Sequence, residues 1–293
     1  MVRSAGNELR EAMAQGMVVA PGCYDALSAR LIEKHGFRAV DVTGLGISLG
    51  YAGRPDMHLL TLTELATVSA RMADSVDIPV IMDGEAGFGD VHSVGRAVHE
   101  FERAGVAAIH IEDAGEKRGL EKTGLIPIRE MVAKIRAAKD AQQDPGFVLI
   151  ARTDASIVSA DEVVKRAKIY AEAGADVIFT VMHGAGILRN PVEARKMYEE
   201  LPQRIKTPLM TNSPLGTDIS AGAAESYGYA ILAIPAVTVA AAGRAMDDAL
   251  RALASAELPA HFEQFPPASL LELSELCGLS RMQALEERYY QDQ

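Results

Sequence analysis

Short apolar runs alternate with longer amphipathic segments over the first 255 residues of the chain. The apolar runs predict buried strands, and apolar residues at helical spacing predict a helix after each of them. An additional leading helix is predicted over 5–15. The predicted strands cover residues 17–20, 39–42, 79–82, 107–111, 147–151, 176–179, 207–211 and 230–234.

This alternation indicates an α/β fold. Eight strands that alternate with helices favour parallel pairing, and eight such units favour a closed (β/α)8 barrel of the TIM type. Gly36, Gly105 and Gly174 each lie between a predicted helix and the next strand, 69 residues apart both times. The alternative is an open doubly wound sheet, but no Gly-rich phosphate-binding turn follows the first strand.

The pattern changes after about residue 256. Phe265-Pro-Pro-Ala-Ser269 is interpreted as a linker, and 270–277 and 280–289 are predicted to be short amphipathic helices. Their apolar residues recur every third position and need a surface to cover. We therefore expect a barrel domain over 1–255 and a helical extension over 256–293 that packs on a neighbouring subunit.

Composition excludes several classes of protein. Hydrophobic residues make up 48% and charged residues 24% of the chain, and no apolar run approaches the roughly 18 residues of a membrane span. Cys23 and Cys277 suggest neither a disulfide framework nor a zinc site, and a cytoplasmic location is expected. The net charge is 29 − 40 = −11 without a basic cluster, which argues against nucleic acid or membrane as a partner.

Acidic side chains follow two neighbouring strands, on the face where barrel enzymes place their active sites. The segment 79–90 ends a strand on Asp83 and Glu85 in a glycine-rich turn, and Glu112 follows the next strand. Acids from adjacent strands would repel one another without a cation, and Mg²⁺ prefers oxygen ligands. We therefore predict a Mg²⁺ site, with Mn²⁺ as an alternative ion. The competing interpretation is a set of solvated loop charges.

Other groups on this face suit a carboxylate substrate. Arg152 can hold a carboxylate through two parallel hydrogen bonds, although a structural ion pair is the alternative. Thr43 and the amides of Gly44 and Leu45 are predicted to bind an anionic oxygen. Asn212 is predicted to hydrogen-bond the substrate, with turn capping as the alternative.

The sequence gives weaker indications for four more residues in or after the strands. Tyr24 follows the first strand and is expected to contact the substrate. His110 lies inside an apolar strand and is interpreted as a core histidine, whereas His183 follows a strand and is a candidate for the site. Cys23 is interpreted as a small packing residue.

Several segments resemble the isocitrate lyase/phosphoenolpyruvate mutase superfamily, from about Glu8 to Leu253. They are Pro21-Gly-Cys-Tyr-Asp-Ala-Leu-Ser-Ala-Arg30, Asp83-Gly-Glu-Ala-Gly-Phe-Gly89, Ile111-Glu-Asp113 and Ile150-Ala-Arg-Thr-Asp-Ala155. The resemblance implies a Mg²⁺-dependent (β/α)8 barrel, usually a homotetramer that exchanges its last barrel helix between subunits. It also implies that a C–C or P–C bond of a 2-oxo or 2-hydroxy carboxylate is made or broken through a metal-held enolate.

The resemblance also implies roles for single residues. Asp83 looks like the principal metal contact, Glu85 stands where the family usually has Asp, and Glu112 is the first acid of the Glu-Asp pair. Asp56, in Arg54-Pro-Asp56, resembles an acid near the metal waters. The positions that match the substrate loop and substrate contacts are Thr43, Gly44, Leu45, Arg152 and Asn212.

Two departures from the family pattern limit the functional prediction. The loop 116–124 lacks the Cys and His that the family's lyases use, and 179–183 lacks their sixth-strand Glu. In this loop Lys117, Arg118 or Lys122 is expected to close over the substrate. We expect a Mg²⁺-dependent carbon–carbon lyase that acts on a small 2-oxo or 2-hydroxy dicarboxylate, of the oxaloacetate decarboxylase or dimethylmalate lyase kind. The alternatives are a phosphonopyruvate-type P–C enzyme and a non-catalytic paralogue that binds metal and carboxylate.

Overall fold

Eight parallel strands close into a barrel in the computed structural model, which describes residues 4–115, 117–118, 121–122, 124–182, 191–213 and 218–290. The barrel strands are β1 Val18–Cys23, β2 Val40–Val42, β3 Val80–Asp83, β4 Ala108–Glu112, β7 Val148–Thr153, β8 Val177–Thr180, β9 Leu209–Asn212 and β10 Ile231–Ile234. Their order around the barrel is β1-β10-β9-β8-β7-β4-β3-β2, closed by pairing of β1 with β2. The predicted (β/α)8 barrel is thereby confirmed.

A small hairpin interrupts the alternation after β4. Its strands are β5 Lys117–Arg118 and β6 Glu121–Lys122, paired antiparallel, within the segment that sequence analysis predicts to close over the substrate. The hairpin root is held by a bridge between Ala114 and Leu125 and by the Gly115 amide, which donates to the Gly124 carbonyl at 2.8 Å.

Helices follow the strands as the hydrophobic pattern predicts. The helices are α1 Ala5–Ala14, α2 Ala26–Lys34, α3 Gly44–Gly50, α4 Leu62–Ser75, α5 Val91–Arg103, α6 Ile128–Ala141, α7 Ala160–Glu172, α8 Pro191–Arg204, α9 Ala221–Tyr227, α10 Val237–Ala254, α11 Leu258–Gln264, α12 Leu270–Leu276 and α13 Leu279–Tyr290, with a 3₁₀ turn at Ala155–Ile157.

Two helices have no counterpart in the sequence prediction, namely α3 and α11, whereas the predicted linker 265–269 is non-helical as expected. Gly44, Gly46 and Gly50 give the segment of α3 a poor intrinsic helix propensity. The same glycines allow close packing, because a Cβ at Gly46 or Gly50 would lie 2.9 or 2.7 Å from Tyr24. Tertiary contact with Tyr24 therefore outweighs propensity in α3.

Local signals start and stop the other elements. Thr61 and Glu64 form a reciprocal capping box at the start of α4. Ser159 accepts a hydrogen bond from the Glu162 amide, but the Glu162 carboxylate pairs with Lys165 and Arg166 instead of completing a box. The three periodic glycines have left-handed φ angles of 79°, 79° and 116°, in chain order.

Two apolar layers hold the barrel. The larger lies between the strands and the surrounding helices, with Phe101, Ile109, Leu149 and Tyr170 among its fully buried members. The smaller includes the apolar residues that alternate with them on the strands, such as Ile81 and Ile150. On this second face, the apolar side chains give way to the polar residues of the candidate site at the carboxyl ends of the strands.

The chain divides into two compact units, Met1–Val239 and Ala240–Gln293. The second unit contains α11 to α13 and exposes large apolar side chains, of which Leu270 is 83% exposed and Tyr290 74%. The predicted boundary at residue 255 and the exchange of a helix between subunits stay predictions. Within the described residues, no helix combines the length and apolar character needed to cross a bilayer.

Candidate functional site

Three charged side chains meet where β3, β4 and β7 end. Glu112 and Arg152 are register partners across β4 and β7, and Asp83 is the last residue of β3. Nη2 of Arg152 lies 3.1 Å from Oε2 of Glu112, and Nη1 lies 3.9 Å from Oδ2 of Asp83. The structure thus brings together three of the residues that sequence analysis places at the site.

The Arg152 guanidinium is a permanent cation held in a fixed place. Burial by itself would lower the pKa of Arg152, but the Asp154, Glu112 and Asp83 carboxylates raise it above its ordinary value. The Phe179 ring lies 5.5 Å from the guanidinium carbon, within the range of a cation–π contact. Arg152 therefore makes the structural ion pairs of the alternative interpretation, in a position where it can also meet a substrate anion.

The turn after β3 is locked onto β4 by its backbone. The Gly84 amide donates to the His110 carbonyl at 2.8 Å, and the Glu112 amide donates to the Glu85 carbonyl at 2.9 Å. The Glu85 amide in turn donates to Oδ1 of Asp83 at 2.9 Å. Glu85 itself has a φ of 51°, in the left-handed region that non-glycine residues rarely occupy, and is buried. These contacts fix the Glu85 carboxylate beside the strand ends.

His58 joins this group from the loop between α3 and α4. Its Nε2 lies 2.8 Å from Oε2 of Glu85 and 3.3 Å from Oε1 of Glu112. One ligand atom from each of His58, Glu85 and Glu112 lies within 4.8 Å of the other two, so the three can hold a metal ion. Sequence analysis missed His58. The available signal was its position two residues after Asp56, in a loop already assigned to the site.

A buried histidine and aspartate lie beneath Asp83 inside the barrel. Nδ1 of His110 is 3.5 Å from Oδ1 of Asp83, and its Nε2 is 3.7 Å from Oδ1 of Asp41. His110 is buried and meets the Phe179 ring edge-on, which fits the predicted core position. Asp41 was missed, although a carboxylate inside the apolar run 39–42 was a visible signal.

The charges beneath the site shift one another. Burial alone would raise the pKa of Asp83, but His110 and Arg152 lower it below its ordinary value. Burial would lower the pKa of His110, and the Asp83 and Asp41 carboxylates raise it instead. Burial raises the pKa of Asp41 despite its contact with His110. His110 and Arg152 therefore favour the anionic form of Asp83, the form that a metal ligand must have.

Asp113 connects the neighbouring elements behind the site. Its Oδ2 accepts hydrogen bonds from Thr153, Arg166 and Tyr170 at 2.8, 2.9 and 2.7 Å. Its Oδ1 accepts from the Asp154 amide at 3.0 Å. Arg166 also donates to the Ile126 carbonyl at 3.1 Å, beside the hairpin root. This fully buried carboxylate ties β4, β7, α7 and the base of the hairpin into one unit.

The predicted substrate loop lies beside the acids. A Cβ at Gly44 would stand 2.8 Å from Oε1 of Glu85 and 3.1 Å from Oδ2 of Asp83. Thr43 is buried at the N-cap of α3, and Leu45 is half-buried in its first turn. Tyr24 packs against α3 at Gly46 and Gly50, so its described contacts position the loop.

The remaining predicted residues lie farther along the chain. Oδ1 of Asn212 accepts from the Met182 amide at 3.3 Å, which ties the end of β9 to the segment after β8, as a capping role would. Asp56 is half-buried in the His58 loop. The side chains of Lys117 and Arg118, and all of His183, lie outside the described residues.

A cavity of about 520 Å³ opens beside the acids. Its lining includes His58, Glu85, Phe88, Thr61, Ser93 and Arg96. A site made of buried carboxylates, one fixed guanidinium and an adjoining cavity of this size has room for a small anionic ligand.

Comparison with known proteins agrees with this geometry. The family model for phosphoenolpyruvate phosphomutase matches residues 9–254. A 2,3-dimethylmalate lyase from Eubacterium barkeri is 35% identical over 291 residues, which cover 93% of this chain and 93% of that protein. These matches confirm the expected superfamily and the expectation of an enzyme among relatives named as lyases.

Two solved structures share the fold over nearly the whole chain. A phosphoenolpyruvate phosphomutase from Streptomyces platensis subsp. rosaceus superposes with a TM-score of 0.87 at 30% identity, covering 97% of this chain and 99% of that one. A phosphonopyruvate hydrolase complex with oxalate and Mg²⁺ superposes with a TM-score of 0.83 at 30% identity, covering 98% and 100%. The barrel, the strand-end acids and these matches together show that the chain belongs to the phosphoenolpyruvate phosphomutase family.

Proposed function

We propose that the chain is a divalent-metal-dependent carbon–carbon lyase that acts on a small 2-oxo or 2-hydroxy dicarboxylate. The observation that carries this proposal is the placement of Arg152 between Asp83 and Glu112, at the carboxyl ends of adjacent strands. The fixed guanidinium suits a substrate with carboxylate groups, which can contact Arg152 and a divalent metal ion at the same time.

The donor set fits a divalent cation. Asp83, Glu85 and Glu112 offer oxygen atoms from two neighbouring strand ends and the turn between them, and the low pKa of Asp83 keeps it ionised. The chemistry that a bound cation supplies is positive charge at the C2 oxygen of the substrate, where electrons collect as the bond breaks.

The protein's own groups supply binding and orientation. Arg152 binds one substrate carboxylate through its guanidinium. The amides of Gly44 and Leu45 belong to the first turn of α3, where backbone N–H groups have no partner within the helix, and they donate to a second anionic oxygen. Phe179 and the ion pairs with Glu112 and Asp154 keep Arg152 in place between substrates.

Carbon–carbon cleavage of this kind depends little on a general acid or base. A β-decarboxylation needs mainly stabilisation of charge at the C2 oxygen, which preorganised donors and a cation provide. This requirement fits a chain whose loop 116–124 lacks the Cys and His of the family's other lyases. Similarity to a 2,3-dimethylmalate lyase over most of the chain supports a substituted dicarboxylate as substrate.

A substrate panel tests the proposal. The protein is incubated with Mg²⁺ or Mn²⁺ and with oxaloacetate, dimethylmalate, methylisocitrate or phosphonopyruvate, and the released 2-oxo acid is measured. Metal-matched blanks remove spontaneous decarboxylation of oxaloacetate. We expect turnover of a dicarboxylate that is abolished by chelator and by Asp83→Ala. Unchanged turnover in Asp83→Ala would show that the metal site is placed wrongly.

A second candidate is P–C cleavage of phosphonopyruvate, favoured by similarity to a phosphonopyruvate hydrolase with a TM-score of 0.83. In the same panel, the P–C hypothesis predicts that phosphonopyruvate is the best substrate and that the product is inorganic phosphate or a rearranged phosphate ester. Binding of oxalate with Mg²⁺ and no turnover of any acid would instead indicate a non-catalytic paralogue.

We also propose that the exposed apolar side chains of α12 and α13 cover another copy of the chain in a homotetramer. Leu270, Leu271 and Met282 are 83%, 63% and 62% exposed within the described residues. Apolar surface on this scale favours burial in an interface. Light scattering coupled to size-exclusion chromatography tests the assembly, and a mass near 31.3 kDa would contradict it.

A further inference from the structure

We infer that His58 is a nitrogen ligand of the divalent cation, and that this mixed donor set favours a first-row transition ion over Mg²⁺. The inference rests on the proposed metal site but goes beyond it. It concerns a residue that the sequence pattern did not assign, and it adds a nitrogen donor to oxygen donors that suit Mg²⁺ and Mn²⁺ alike.

The distances match a coordination sphere. For ligand bonds of about 2.1 Å, adjacent octahedral positions are separated by ~3.0 Å. Nε2 of His58 stands 2.8 Å from a Glu85 oxygen and 3.3 Å from a Glu112 oxygen, close to that separation. The three ligand atoms come from three different segments and converge within 4.8 Å.

The backbone around the group holds this arrangement. His58 and Glu85 both have left-handed φ angles, of 54° and 51°. The Arg54 amide donates to the Ser48 carbonyl at 2.9 Å, and the Thr61–Glu64 capping box starts α4 three residues after His58. The loop is therefore tied at both ends, and the imidazole is presented to the two glutamates with its side chain only 26% exposed.

The donor types decide the ion. Mg²⁺ is a hard cation that takes oxygen ligands and retains much of its water, and an imidazole nitrogen adds little to its binding. First-row transition ions accept imidazole and carboxylate together, and their affinity for such sites rises from Mn²⁺ to Cu²⁺. A site that adds the His58 imidazole to the carboxylates of Asp83, Glu85 and Glu112 should therefore bind Mn²⁺ more tightly than Mg²⁺.

The competing explanation is that His58 only neutralises the two glutamates and leaves them when a cation enters. The two readings differ in a measurable way. If His58 is a ligand, its removal weakens Mn²⁺ binding. If His58 is a competitor, its removal strengthens binding of both ions, because the glutamates no longer have to exchange one partner for another.

The experiment compares the wild-type protein with His58→Gln and His35→Gln after chelator treatment. His35 is an exposed histidine at the C-cap of α2, before β2, and serves as the matched control. Calorimetric titration gives the affinities for Mn²⁺ and Mg²⁺. Pulsed electron paramagnetic resonance on the Mn²⁺-loaded protein reports a directly bound nitrogen, and ¹⁵N-histidine labelling identifies it as imidazole.

We expect a nitrogen modulation that changes on ¹⁵N labelling, is lost in His58→Gln and persists in His35→Gln. Since even outer-shell partners of metal ligands contribute about 10- to 100-fold, Mn²⁺ affinity should fall at least ~10-fold in His58→Gln, with a smaller change for Mg²⁺. Bound Mn²⁺ without nitrogen modulation, or tighter binding by His58→Gln, would overturn the inference alone. Failure of the wild-type protein to bind either ion would overturn the proposed metal-dependent function as well.

Discussion

Arg152 faces Glu112 across the β4–β7 pair, with Nη2 3.1 Å from Oε2, so the strand register itself positions the only arginine found among the described strand-end acids. Two parallel strands place residues at the same height at their carboxyl ends. The barrel strands thus position the Arg152 guanidinium at the site, independently of any loop.

Replacement of Arg152 by Lys should raise KM for the dicarboxylate and leave the fold intact. Lysine keeps the charge but loses the forked donors, and hydrogen bonds to charged groups contribute about 1.5–3 kcal/mol, so kcat/KM should fall ~10- to 100-fold. Steady-state kinetics measure the effect. Arg204→Lys is the control, because Arg204 pairs with the exposed Asp161 on the surface. An unchanged KM in Arg152→Lys would exclude the clamp.

Asp83→Asn should separate metal binding from folding. The amide keeps the size of the side chain but removes its negative charge. That charge is stabilised by His110 from beneath and by Arg152 from the side. We expect the dissociation constant for Mn²⁺ to rise at least ~10-fold. Asp90→Asn is the matched control, since Asp90 is an exposed aspartate seven residues later without a side-chain capping bond. Equal affinities in the two variants would contradict the role of Asp83.

The barrel and the acids at its strand ends were predictable because they depend on periodic patterns. Strand ends follow from apolar runs, and parallel strands bring their carboxyl ends together, so Asp83, Glu112 and Arg152 could be grouped without coordinates. His58 was missed, because it reaches the site through a loop with no periodic pattern, where only its closeness to Asp56 in the sequence was a signal. Asp41 was hidden for the opposite reason: its strand was interpreted as uniformly apolar.

The helix α3 shows a second kind of failure. Its three glycines predict a loop by propensity, yet they are what allows the helix to approach Tyr24 and the two acids. Propensity describes an isolated segment, whereas close packing is a property of the folded chain. The close approach of Gly44 to Asp83 and Glu85 therefore became visible only with the neighbouring strands in place.

Gly44→Ala should impair metal binding while the protein stays folded. The added methyl group would stand 2.8 Å from a Glu85 oxygen and 3.1 Å from an Asp83 oxygen, which forces the longer Glu85 side chain to move. Alanine is the better helix former, and the atoms it would meet are the ends of side chains, so a loss of stability is not expected. Calorimetric titration with Mn²⁺ should show weaker binding. Gly222→Ala, in α9 with open space around it, is the control and should bind normally.

Acid should weaken the cap that ends the His58 loop. The Thr61 hydroxyl and amide donate to the Glu64 carboxylate and lower its pKa. A carboxylate whose pKa is lowered in the folded state stabilises the fold at pH values above its ordinary pKa of about 4.3. This contribution is lost as the pH falls through the lowered pKa. Urea unfolding at several pH values below 5 should show a smaller acid-induced loss in Glu64→Gln than in the wild-type protein. Parallel curves for the two proteins would contradict the prediction.

Asp113→Asn should destabilise the protein far more than an equivalent surface change. Asp113 is fully buried and accepts from Thr153, Arg166 and Tyr170, so the variant leaves the Arg166 guanidinium without its buried anion. Breaking a buried pair in this way costs about 3–5 kcal/mol. Asp161→Asn removes a pair with Arg204 whose acid side chain is 86% exposed, and should cost less than ~1 kcal/mol. Urea unfolding of the metal-free proteins measures both changes. Asp113 also accepts from the Asp154 amide, and its partner Arg166 donates beside the hairpin root, so a folded Asp113→Asn protein should show a raised KM as well. Equal stability of Asp113→Asn and Asp161→Asn would rule out Asp113 as the group that ties these elements together.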